Sequence, residues 1–148
     1  MLAIINDAAL AYRGVIPADR WHEPYMQESE LREEIAAGVE FWGVETDDGL
    51  IGVMGVQAVQ DVELIRHAYI RPDQQRFGVG AELIEHLRRR STRRMLVGTW
   101  AAATWAISFY QRHGFELAPS ALAAELLRKY WTIPERQIET SVVLALSV

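Results

Sequence analysis

Cysteine is absent from the 148-residue chain. Disulfides, thiolate-rich zinc sites and a cysteine nucleophile are excluded together. Lysine is nearly absent as well: among 15 basic residues only Lys129 is a lysine, so a catalytic lysine has one candidate. No apolar run approaches the roughly 20 residues of a membrane-spanning helix. The N-terminus has no charged segment leading into an apolar core, so no signal peptide is expected and a cytoplasmic location is the default. Excess positive charge is also missing. Fifteen basic residues against 20 acidic ones leave a net charge of −5, which argues against a general nucleic-acid binder. What is present is ordinary for a globular protein: 50% hydrophobic and 24% charged residues. No repeat and no Pro/Ser/Gly-rich linker interrupts the chain, so residues 1–148 are expected to form one domain.

Apolar spacing orders the elements. Leu2, Ile5, Ala9 and Tyr12 predict a helix over residues 1–12. A loop over 13–24 carries Gly14, Pro17 and Pro24, and a second helix over 28–37 ends at Gly38. Strand-like runs at 39–45 and 50–59 flank Asp48-Gly49, a hairpin signal. A third strand over 62–70 completes an antiparallel meander. Gly80, Leu83, Ile84 and Leu87 then mark one face of a helix, with Glu82 and Glu85 early and Arg88, Arg89 and Arg90 late, as the helix dipole prefers. A strand over 95–100, a helix over 104–113 with Gly114 behind it, a short strand over 115–117 and a helix over 121–130 follow. Ile138, Thr140, Val142, Leu144 and Leu146 alternate with Glu139, Ser141 and Ser147, which predicts a half-buried final strand. The order α-α-β-β-β-α-β-α-β-α-β points to an α+β fold with a central mixed, mostly antiparallel sheet flanked by helices.

Gln75-Arg76-Phe77-Gly78-Val79-Gly80 lies between a strand end and a helix start. Glycines there let backbone approach a ligand, and the free N–H groups favour phosphate. Alone, the pattern also fits a tight strand-to-helix turn. A Walker loop is excluded because Ala81-Glu82 follow the second glycine, and the dinucleotide fingerprint because Leu83 holds its third glycine position. One strand and one helix further on comes Ala106-Ile107-Ser108-Phe109-Tyr110-Gln111-Arg112-His113-Gly114-Phe115. Q-x-x-G-x-G, an apolar strand and then A-x-x-F-Y-x-x-x-G-F together resemble the GNAT superfamily of acyl-CoA-dependent N-acetyltransferases, over nearly the whole chain.

The resemblance implies acetyl-CoA as co-substrate and transfer of its acetyl group to the amine of a small-molecule or amino-acid-like acceptor, by direct attack through a tetrahedral intermediate. It implies that the backbone of Ala68, Tyr69 and Ile70 holds the pantetheine arm. Gln75, Arg76, Phe77, Gly78, Val79, Gly80 and Ala81 hold the pyrophosphate, and Tyr110 lies near the thioester sulfur. Two departures stand out: Ala103 occupies a position where the family often has Asn, with Thr104 as the neighbouring polar group, and the family's first strand is missing ahead of the first helix.

The chemistry asks for proximity, a base, an oxyanion donor and an acid for the leaving thiolate. Tyr110 is the expected acid, and its alternative is a packing role beside Phe109. A backbone N–H at the splayed end of the strand over 62–70 is the oxyanion donor. The base has several candidates: Glu63, His67, Arg66 acting indirectly, or a bound water. Strand parity puts Arg66 with Leu64, Ala68 and Ile70, and His67 with Glu63 and Tyr69, unless a bulge reverses the faces. The resemblance implies that the acceptor lies on the face of the last strand residue, so with this parity Arg66 is expected to face it, where a guanidinium clamps a carboxylate or phosphate. His67 is the side chain whose type titrates nearest neutrality; it equally fits a hydrogen-bonded core histidine.

Tyr25, with Trp21 and His22, and Trp100, with Thr99, are further acceptor-lining candidates, whereas Trp105 and Trp131 are expected in the core. The arginine cluster Arg88, Arg89, Arg90, Arg93 and Arg94 reads as a solvated helix end. Glu82 and His86 form one i, i+4 pair, too few for a metal site. The strand over 39–45, lacking the neighbour that the family places beside it, is expected to expose an apolar sheet edge. An upstream start or a shortened chain is the first expectation there, and a homodimer the second. A non-catalytic acyl-CoA-binding module of the same fold is the alternative to an enzyme.

Overall fold

The computed structural model describes residues 1–9, 26–47, 49–71, 78–131 and 133–146. Tyr25, Trp21, His22, Gln75, Arg76 and Phe77 lie outside them. In chain order the elements are α1 (Leu2–Ala9), α2 (Glu28–Ala36), β1 (Glu40–Thr46), β2 (Gly49–Val59), β3 (Val62–Ile70), α3 (Val79–Arg90), β4 (Arg94–Trp100), α4 (Thr104–Arg112), β5 (Glu116–Leu117), α5 (Ser120–Tyr130), α6 (Glu135–Glu139) and β6 (Ser141–Leu146). The six strands form one sheet in the order β1-β2-β3-β4-β6-β5. Every neighbouring pair is antiparallel except β3–β4, which is parallel. The expected class, a mixed and mostly antiparallel sheet flanked by helices, holds.

Alternating side chains serve two layers. Ile65, Val97 and Leu144 face α3 and α4, packing with Leu83, Ile84, Leu87 and Tyr110. Their neighbours Leu64, Leu96 and Val143 pack against Leu126, Leu127 and Tyr130 of α5. Further along that opposite face, Val53 and Tyr69 meet Ile4 and Ile5 of α1 and Leu31 of α2. The Asn6 side chain ties α1 to the chain just ahead of α2: its Nδ2 donates to the Met26 carbonyl at 2.9 Å, and its Oδ1 accepts from the Met26 N–H at 2.7 Å.

Two expectations need correction. The alternating tail is not one strand. Pro134 starts α6 instead, its carbonyl accepting from the Gln137 and Ile138 N–H groups. Ile138 is buried beneath α5, so a residue that suits the strand pattern is a helical core residue. Trp105 is not core: it is 45% exposed on α4.

Candidate active site

Parallel pairing of β3 with β4 runs from Val62↔Arg94 to Ile65↔Val97 and then stops. Beyond that point a cavity of about 550 Å³ opens between Arg66–Ile70 on one side and Gly98, Thr99 and Trp100 on the other. Gly78, Gly80 and Ala81 of the α3 start, Phe109 and Tyr110 of α4, and Trp131 behind α5 complete its wall. The helices α3 and α5 lie on opposite faces, so the cavity passes through the splay in the sheet. The structure thus brings together Arg66, His67, Ala68, Tyr69, Ile70, Gly78, Gly80, Ala81, Trp100 and Tyr110; Val79 is instead buried in the α3 core, and neither Glu63 nor Thr104 lines the cavity.

The glycine-bearing start of α3 has two distinct glycines. Gly78 is the N-cap residue, with φ +73° in the left-handed region, and a Cβ there would meet no atom of the described residues within 4 Å. Gly80 is a packing glycine, because a Cβ would come within 2.9 Å of Phe109. Phe109 in turn lies tilted against His113, at 4.7 Å between ring centroids and 53° between planes. Tyr110, 5% exposed, is held edge-on between Phe109 and Phe115 at centroid distances of 5.1 and 5.4 Å. Ala103, at the N-cap of α4, is fully buried.

At the other end, β3 carries a bulge. Its register against β2 steps from Gly55↔Arg66 to Val53↔Tyr69, and His67 sits at φ +53°. A non-glycine residue in that region costs of order 1–3 kcal/mol, and such strain clusters at functional sites. The bulge overturns the simple parity of β3. Ala68 and Ile70 pack with Ile65 toward α3, Tyr69 packs toward α1, and Arg66 reaches α2. Arg66 therefore does not share a face with Ala68 and Ile70.

Glu34 of α2 joins this end of the site. Its Oε1 lies 3.3 Å from Arg66 Nη2, and its Oε2 lies 3.1 Å from His67 Nε2. Both atoms are shielded from solvent, and neither has an aligned hydrogen-bond partner among the described residues, so their 3.1 Å approach is a close polar contact. Arg66 Nη1 also donates to Gln57 Oε1 at 3.1 Å. Burial pushes the Glu34 carboxyl upward, but the close His67 imidazole, with the Arg66 guanidinium, outweighs it and holds the carboxyl below its ordinary value.

Sequence reasoning did not single out Glu34, Arg112 or His113 and expected Trp131 in the core; Arg112, His113 and the partly buried Trp131 line the cavity. Trp105, Phe109, Arg112 and His113 stand at i, i+4, i+7 and i+8, a helical stripe that marked the lining face of α4. The arginine cluster is dispersed. Arg88 donates to the His113 carbonyl, Arg90 covers the Trp42 ring at 4.4 Å, and Arg93 donates to the Gln60 carbonyl. Among the described residues no group of three or more His, Asp or Glu side chains is arranged to hold a metal ion. No helix among them is long and apolar enough to cross a membrane.

Solved structures share this architecture. An acetyltransferase from Streptococcus agalactiae superposes with a TM-score of 0.70 at 18% identity, covering 99% of this chain and 91% of that one. The ribosomal-protein-S18-alanine N-acetyltransferase of Escherichia coli gives 0.65 at 18% identity, over 99% and 86%. The PaiA N-acetyltransferase of Thermoplasma acidophilum, solved in complex with coenzyme A, gives 0.65 at 12%, over 99% and 90%. The fold is therefore that of the acyl-CoA N-acyltransferases. The family model for the acetyltransferase (GNAT) domain matches residues 37–117, and the chain belongs to that family of acyltransferases. No curated protein sequence matches it.

Proposed function

We propose that the chain is an N-acetyltransferase that moves the acetyl group of acetyl-CoA to the amine of a small-molecule or amino-acid-like acceptor. The observation that carries this reading is the cavity in the β3–β4 splay, reached from one side by the α3 start and from the other by Tyr110. The start of α3 beside Gly78 supports a phosphate-bearing ligand: among the described residues no atom crowds the backbone there, and a side chain would take up that space. Acetyl-CoA supplies an acyl group activated as a thioester and a pyrophosphate handle.

On this reading residues 1–148 act as one catalytic unit. The segment Gln75–Ala81 holds the pyrophosphate, and the backbone of Ala68, Tyr69 and Ile70 aligns the pantetheine arm. His67 takes a proton from the acceptor ammonium, which is otherwise mostly charged at neutral pH. The freed amine nitrogen attacks the thioester carbonyl, and a backbone N–H of β3 donates to the oxyanion. The C–S bond then breaks, Tyr110 gives its phenolic proton to the departing thiolate, and the extra proton on the acylated nitrogen passes through solvent to restore the tyrosine. Arg66, Trp100 and Tyr25 line the acceptor side, where Arg66 favours an acceptor bearing an acid group.

Free-thiol release from acetyl-CoA across the common amino acids and their decarboxylated amines tests this reading. At least one amine is expected to raise release above the hydrolytic background and to appear as its acetyl amide. Tight acetyl-CoA binding with no amine-dependent release would instead support a non-catalytic acyl-CoA-binding module.

A further inference from the structure

We infer that Glu34 is a positioning residue that fixes His67 in the tautomer whose Nδ1 accepts the acceptor's proton. The inference rests on the reading of His67 as the base. A carboxylate can only accept hydrogen bonds, and a neutral imidazole carries one N–H and one lone pair. His67 Nε2 lies 3.1 Å from Glu34 Oε2. A lone pair there would face the carboxylate oxygen and be repelled, so that nitrogen carries the proton and the lone pair is left on Nδ1. Glu34 does not line the cavity, whereas Arg66 and His67 do. The carboxylate thus acts through the imidazole and not on the acceptor.

Three features hold the contact. The bulge at His67, with its positive φ, shifts the strand register at this residue. Arg66 Nη2 takes the second carboxylate oxygen at 3.3 Å, and its Nη1 is anchored by Gln57. Phe41 stacks on the His67 ring from β1, at 6.1 Å and 24° between planes. The logic is that of a buried carboxylate setting the tautomer of a catalytic histidine, where an amide in its place preserves shape and reverses the proton.

Glu34→Gln tests this directly. Its amide oxygen can still accept from Arg66, while its NH₂ donates to His67 Nε2 and forces the imidazole proton onto Nδ1. Nitrogen-15 NMR of the imidazole near neutral pH is expected to show the Nε2–H form in the unmodified protein and the Nδ1–H form in the variant. With the best amine of the panel, kcat should fall about 10²–10⁴-fold, the usual worth of a general base. KM for acetyl-CoA should stay unchanged, and Glu34→Asp, which keeps the carboxylate, should recover part of the loss.

An unaltered tautomer or unaltered kcat in Glu34→Gln overturns the inference. If that variant does not fold, the unmodified protein decides: a proton on Nδ1 overturns the inference and one on Nε2 supports it. His67→Gln with full kcat overturns the base assignment, and this inference with it. Amine-independent behaviour of the unmodified protein refutes the acetyl-transfer reading alone, because the NMR readout needs no turnover.

Discussion

Gly78 separates backbone strain from ligand space, and two substitutions there are expected to come apart. The residue caps α3 at φ +73° and ψ +14°. An L side chain in the left-handed region costs roughly 1–2 kcal/mol. Among the described residues no atom stands within 4 Å of the missing Cβ, so their packing adds nothing to that cost. For a chain of this size about 1 kcal/mol corresponds to roughly 2–4 °C in Tm, so Gly78→Val should melt about 2–8 °C lower. Gly78→Asn should melt close to the unmodified protein, because Asn tolerates this conformation. Both side chains occupy the space into which the pyrophosphate is proposed to fit. Both should therefore weaken acetyl-CoA binding at least about tenfold, or about 1.4 kcal/mol. Differential scanning calorimetry reads the first quantity and isothermal titration the second. Unchanged affinity in a folded Gly78→Asn protein would refute the proposed pyrophosphate site.

Tyr110→Phe keeps the ring between Phe109 and Phe115 and removes the hydroxyl; kcat should fall about 10²–10⁴-fold with little change in acetyl-CoA affinity, and full turnover with chemistry rate-limiting would leave the residue a packing role. An amino acid should be preferred over its decarboxylated amine, measured as kcat/KM, and Arg66→Gln should erase the preference; equal rates in the unmodified enzyme would rule out the clamp. The Glu34 carboxyl, held below its ordinary value of 4.5, contributes stability that is present above that pH and is lost as pH falls through its folded-state pKa. Urea unfolding below about pH 4.5 should thus lose less stability in Glu34→Gln than in the unmodified protein, and parallel pH profiles would contradict the ion pair.

Much of the fold was legible because its signals are local. The β3 limits match the apolar run at 62–70, and Gly49 sits at φ +99° in the hairpin marked by Asp48-Gly49. The α3 face follows from helical spacing, with Val79, Leu83, Ile84 and Leu87 all buried. The tail misled because Ile138 satisfies both periods: it continues the alternation of β6 and is also the buried residue of a one-turn helix behind Pro134. The bulge was only indirectly marked. A Cβ at Gly55 would lie 2.8 Å from the Arg66 carbonyl, and an isolated strand glycine is the usual trace of such an approach.

The cavity itself was foreseeable as a place but not as a list. The glycine loop and Tyr110 announced themselves by spacing, whereas Glu34 is one of several acids on α2 and nothing in the helix distinguishes it from Glu33. Only the tertiary approach of α2 to the bulge does so, through Arg66 and His67.

A crystal structure grown with acetyl-CoA tests the central claim most directly. The pyrophosphate should lie against the N–H groups at the start of α3, beside Gly78. The pantetheine arm should run between Ala68–Ile70 and Gly98–Trp100, and the thioester should lie within reach of the Tyr110 hydroxyl. Acetyl-CoA bound elsewhere on the protein, with the β3–β4 splay filled only by solvent, would contradict the proposed active site.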